Sequence, residues 1–227
     1  RDARPVMERV ELANVVVLQH AEHLEANERS RVKGIVRALN PSARLVDETA
    51  KLELGSIQAE QPFDLRAAEQ RAARLGSPDT DFGTNGWLTQ FTFFERRPLH
   101  PARFHELLQS AWPNVLRVRG SFWVASSPDY SVTLDIAGGS REAHPDGKWW
   151  VTVPPAQRPT QPGLQQYLEG IWDAEFGDRH QALTIVGVDL DKDQLVAKLQ
   201  QCLLTDDELA QPSTWVSMPH PFTWPRQ

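Results

Sequence analysis

Five consecutive residues, Gln19-His20-Ala21-Glu22-His23, place two imidazoles and a carboxylate in one short stretch. Imidazole nitrogen and carboxylate oxygen are donors that first-row transition metals accept, so His20, Glu22 and His23 form a candidate metal set. Solvated loop histidines are the competing reading. A second acidic run, Asp189-Leu190-Asp191-Lys192-Asp193, opens like a calcium loop, but Gln194 and Gln200 stand where an EF-hand needs glycine and glutamate. Those carboxylates read instead as helix N-cap and first-turn acids. Arg96 and Arg97, with Arg117 and Arg119 on the next strand, are read as a basic patch on an open sheet face, either an anion or partner surface or a plain charge cluster. His100 and His105 fall about 140° apart on a helix and do not share a ligand. His144, His180 and His220 are isolated, and Cys202 beside Leu203 reads as a small apolar filler. No nucleophile-elbow, GxGxxG or GxxxxGK(S/T) string occurs, so no catalytic residue is assigned.

The elements that must position these groups follow from periodicity. Glu11 to Leu18 ends in Val15-Val16-Val17-Leu18, a β-branched run read as a buried parallel strand. Val32, Ile35, Val36 and Leu39 recur at helical spacing, and Asn40-Pro41 stops that helix. Arg44 to Val46 is a short strand, which completes a βαβ-like unit at residues 1–60, too small to cover a parallel sheet by itself and read as the tail of a larger α/β domain. Asp64 to Leu75 fits an amphipathic helix within a linker at 61–86. From Trp87 the pattern changes. Strands are expected at Leu88–Phe94, Val115–Ala125, around Val132–Ile136, at Trp149–Val153 and at Leu183–Val188. Helices are expected after Pro101, from Pro162 to about Phe176 with Leu164, Tyr167, Leu168, Ile171 and Trp172 inward, and after Asp191. Thr205 and Glu208 form a capping-box pair. The order β-α-β-β-β-α-β-α over 87–227 is a ferredoxin-like plan with one extra strand and one extra helix. A Pro- and Trp-rich tail from Pro212 is expected to wrap the surface.

At 227 residues, with 24% charged and 40% hydrophobic residues, the chain is long enough to bury a core. A net charge of −6 disfavours nucleic acid or an anionic membrane as a general partner. No apolar run reaches the roughly 20 residues of a membrane span. One cysteine and no apolar leader fit a reducing, cytoplasmic setting. The start at Arg1 reads as a fragment. Of eight tryptophans, Trp123, Trp149, Trp150 and Trp172 sit at core-compatible positions, with a stacking site for bases or sugars as the alternative.

Two strings carry a family resemblance. Arg97-Pro98-Leu99-His100-Pro101-Ala102-Arg103-Phe104 and Leu116-Arg117-Val118-Arg119-Gly120-Ser121-Phe122-Trp123-Val124-Ala125 resemble the start of the C-terminal domain of CobW proteins, GTP-hydrolysing proteins linked to metal delivery. Glu11–Leu18 and Arg37–Arg44 resemble the end of a CobW-type GTPase domain. Phe176–Asp189 and Cys202–Glu208 look like the end of the C-terminal domain, closer to the zinc-homeostasis branch than to the cobalamin branch. The resemblance implies a partial P-loop-type α/β segment followed by a ferredoxin-like α+β domain. It implies GTP and magnesium as cofactors, zinc as the favoured metal with cobalt or iron as alternatives, and a client metalloprotein as partner, with oligomeric state open. In that family the loop after this strand, Asn-Lys-x-Asp, reads guanine. Here Gln19 stands for Asn, His20 for Lys and Glu22 for Asp, an altered or lost base-reading loop. The family's P-loop, magnesium acids and Cys-x-Cys-Cys motif precede the strand at 12–18, so GTPase activity is implied only for the intact protein. The resulting expectation is a metallochaperone or metal-centre activator with 87–227 as its partner-recognition domain. A degenerate scaffold that no longer binds nucleotide is the rival.

Overall fold

The structure, a computed structural model, describes residues 3–47, 83–84, 86–158 and 160–224. The expected helix at Asp64–Leu75 and nearly all of the 61–86 linker lie outside the described residues.

The N-terminal unit begins with α1 (Arg4–Leu12), where the sequence pattern starts the strand at Glu11. That helix is invisible locally because a distant residue ends it: Asn40 Nδ2 donates to the carbonyls of Val10, Glu11 and Ala13 at 2.8, 3.1 and 2.8 Å. The carbonyls a helix leaves free at its end are thus satisfied from another element. Strand β1 (Val15–Leu18) pairs in parallel with β2 (Arg44–Asp47). Helix α2 (Ala26–Leu39) connects them, opened by a capping box between Glu25 and Glu28. The Val15–Leu18 run is only half-buried, not enclosed.

The second unit carries a six-stranded sheet in the order β3-β4-β8-β5-β6-β7, antiparallel throughout. Its strands are β3 (Gly83–Thr84), β4 (Leu88–Glu95), β5 (Val115–Phe122), β6 (Tyr130–Ala137), β7 (Ser140–Lys148) and β8 (Gln181–Val188). Helix α3 (Pro101–Gln109) links β4 to β5, which run in the same direction with β8 inserted antiparallel between them. This is the split β-α-β arrangement of the ferredoxin-like plan. Helices α4 (Pro162–Ile171) and α5 (Lys192–Gln201) precede and follow β8, and short turns of helix, α6 (Asp206–Leu209) and α7 (Pro212–Trp215), close the chain.

Strand alternation gives the sheet two unlike faces. Phe91, Phe93, Val118, Phe122, Leu134, Ile136, Leu183 and Ile185 share one face and a core with Phe104 and Leu108 of α3 and Leu195 and Leu199 of α5. The tail does more than wrap the surface, since Trp224 is buried in this core. The opposite face presents Thr92, Thr184, Arg117, Arg119 and Asp135, and the N-terminal unit meets it through α1 against β6 and α2 against β4.

Two expected elements differ. Trp149–Val153 is not a strand: Trp150–Thr152 forms a 3-10 turn, because the Asp178 carboxylate accepts both the Trp150 and Val151 amides at 2.8 Å. The additional strand is β7, whose exposed sequence, with Pro145 and several charges, carries no apolar alternation. Such composition suits an edge strand, where it discourages pairing with another chain. Helix α4 stops at Ile171, and only Leu168 is buried on it, while Tyr167 and Trp172 are exposed.

Candidate functional site

The loop after β1 brings His20, Glu22 and His23 together. Residues Ala21–His23 form a 3-10 turn, and His20 before it adopts the left-handed conformation at φ 60°. His20 Nδ1 lies 3.9 Å and His23 Nε2 3.5 Å from Glu22 Oε1. One ligand atom from each residue falls within 4.8 Å of the others, and the two rings stack at 6.2 Å with 17° between planes. All three side chains are exposed, but the backbone beneath them is held: Ala21 is buried, and its carbonyl accepts Arg29 Nε at 2.9 Å. Gln19 is exposed and stands outside this cluster.

The four arginines divide into two pairs, since β8 lies between β4 and β5. Arg96 donates to the carbonyls of Ile171, Gly177 and Arg179, and Arg97 donates to the Leu204 carbonyl and pairs with Asp206 at 2.7 Å. Arg117 is 3% exposed at its side chain. Its Nε and Nη2 donate to the Glu11 carboxylate at 2.6 and 3.1 Å, and the guanidinium also meets Asp135. Arg119 adds a bond to Glu11 at 3.2 Å. Burial alone would push the Arg117 pKa down, but its hydrogen bonds to the Glu11 and Asp135 carboxylates, with their charges, outweigh it and raise the pKa. The long-range contacts of Glu11, Asp135 and Asn40 carry no local sequence signal. Their partners lie at distances along the chain that no local pattern reports.

The block at 97–104 that carries the family resemblance is structural. His100 caps α3, its Nδ1 accepting the Arg103 amide at 3.3 Å. Leu99 bridges to both Val124 and Leu203. Arg103 makes a two-bond contact with Glu208 at 2.8 and 2.7 Å. That contact, with the amide of Thr205, depresses the Glu208 pKa to about 2, while burial lowers that of His100. Asp191 is the N-cap of α5, accepting Gln194 N at 2.9 Å, and Asp189 pairs with Arg31 at 2.6 Å. Cys202 is buried, and desolvation pushes its thiol up to about 11, an unreactive state.

The model of the cobalamin synthesis protein cobW C-terminal domain matches residues 88–203, just over half of the chain. The chain belongs to the CobW family. This CobW chain is 29% identical over 97% of its length to a zinc chaperone of Mycobacterium tuberculosis, covering 54% of that protein. It is 27% identical over 90% of its length to zinc-regulated GTPase metalloprotein activator 1 of Dictyostelium discoideum, covering 44% of that protein. The Zn(II)-bound YjiA GTPase from E. coli aligns with 87% of this chain and 54% of its own, at 14% identity and a TM-score of 0.39. The CobW chain thus spans about half the length of the curated relatives it matches. Among its described residues no helix is long and apolar enough to cross a membrane.

Proposed function

We propose that this chain is the C-terminal part of a CobW-type metallochaperone or metalloprotein activator that handles zinc. Residues 87–227 are its partner-recognition and regulatory domain, and a client metalloprotein is the partner. The carrying observation is that likeness to proteins named for zinc handling extends beyond residues 88–203, across the N-terminal unit as well. The seam between the units supports the regulatory role. A buried ion pair such as Glu11–Arg117 is either made or broken, so it favours discrete arrangements of the two units over a continuum. GTP is the nucleotide that would bias them.

A second reading, a scaffold that binds no nucleotide, is favoured by one observation: Gln19, His20 and Glu22 replace the guanine-reading residues. Nucleotide titration of the full-length gene product separates the two. Saturable GTP binding supports the activator reading, and no saturable binding assigns the protein to the scaffold class.

A further inference from the structure

We infer that the His20-Glu22-His23 loop is a divalent transition-metal seat with one open coordination position, and that it does not read a purine. The inference rests on the zinc-handling reading above and gives it a place in the chain. The donor set is two imidazole nitrogens and one carboxylate oxygen, the composition of an open three-ligand zinc site.

The spacing is close to what a metal needs. Zinc–nitrogen and zinc–oxygen bonds of about 2.0–2.2 Å set neighbouring donors in a tetrahedron roughly 3.3–3.5 Å apart. His23 Nε2 and Glu22 Oε1 are already 3.5 Å apart, and His20 Nδ1 is 3.9 Å from the same oxygen. The largest separation in the trio, at most 4.8 Å, closes by small rotations of exposed side chains. The backbone has no such freedom to lose, because β1 pairs with β2 on one side and the α2 capping box follows on the other. Arg29 holds the central carbonyl.

The same geometry argues against base recognition. A purine edge would have to displace two imidazoles that already lie 3.9 and 3.5 Å from the Glu22 carboxylate oxygen. Exposure is the other informative property. Structural zinc sites are closed and four-coordinate, while a three-ligand site on the surface leaves its fourth position to water or to an incoming ligand from another protein. That is the arrangement a hand-off requires. Hard oxygen-seeking ions such as calcium or magnesium are not suited to two imidazoles.

The test is zinc titration of the 227-residue chain against a chromophoric chelator, with cobalt(II) absorption as a second readout. The wild-type chain is expected to bind one zinc at this loop. His20→Ala and His23→Ala are each expected to weaken it at least tenfold, and Glu22→Gln to weaken it measurably, whereas His144→Ala leaves it unchanged. Because all three residues are exposed, circular dichroism of the variants should match wild type. The cobalt complex should lack thiolate charge transfer. Absence of zinc binding, equal affinity in the His20 and His23 variants, equal loss in His144→Ala, or a thiolate band from Cys202 would each overturn the assignment. Nucleotide-dependent zinc transfer can fail while this loop still binds zinc, so the two readings fall separately.

Discussion

Arg117 of β5 and Glu11 of α1 form a two-bond ion pair at 2.6 and 3.1 Å, buried in the seam between the N-terminal unit and the sheet. Asn40 anchors the α1 end that carries Glu11, so the contact runs from the end of α2 through α1 into β5 and β6. Removing Arg117 leaves the buried Glu11 carboxylate with the longer Arg119 contact alone and takes the guanidinium from Asp135. Arg117→Ala is therefore expected to cost about 3–5 kcal/mol in urea unfolding. Arg117→Lys should recover little, because an ammonium cannot reproduce the two-bond fork. A loss under about 1 kcal/mol, the level of a surface pair, would show the seam to be loose.

Gly120 lies in β5 at φ +149°, and a Cβ built there would sit 1.8 Å from the Ala182 carbonyl oxygen on β8. Gly120→Ala has to displace a central strand. The expected destabilisation is about 3 kcal/mol or more by chemical unfolding, and a neutral outcome would contradict the close approach of β5 to β8.

The Arg103–Glu208 contact gives a pH signature. Glu208 has a folded pKa of about 2, below its ordinary 4.5, so its contribution is fully present above about pH 4.5 and is lost as pH falls toward 2. Glu208→Gln should cost about 1–3 kcal/mol at pH 7, and the gap to wild type should shrink steadily in acid. A gap independent of pH would show that the charge is not what matters.

His180 works in the opposite chemical sense. It is buried between Phe94 and Trp149 with Nδ1 2.8 Å from the Asp178 carbonyl, and desolvation lowers its pKa despite that bond. The unfolded chain, near 6.5, takes up a proton first. Stability is therefore full above that pH and declines below it. Replacing His180 with Phe should flatten this decline between about pH 7 and 5 relative to wild type, measured by thermal unfolding. An unchanged slope would place the proton uptake elsewhere.

How much of this was legible depended on distance along the chain. The strands β4, β5, β6 and β8 showed themselves by apolar alternation because one face packs on α3 and α5. The Arg97–Phe104 block could be recognised as a family string, but its work could not, since Arg103 reaches Glu208, 105 positions away. β7 was missed because an exposed edge strand carries no burial signal, and Trp149 and Trp150 misled because their large apolar rings suggested a strand. The His20-Glu22-His23 trio was visible because it is contiguous. The Glu11–Arg117 pair was not, with 106 positions between partners.

In the proposed activator, zinc handling is coupled to nucleotide state. The most direct test of that coupling is the zinc dissociation constant of the full-length gene product, measured by chelator competition with GTP and then with GDP bound. At least a tenfold difference between the two states is expected, a coupling of about 1.4 kcal/mol. Identical affinities in the two states, or the absence of any nucleotide complex, would contradict it.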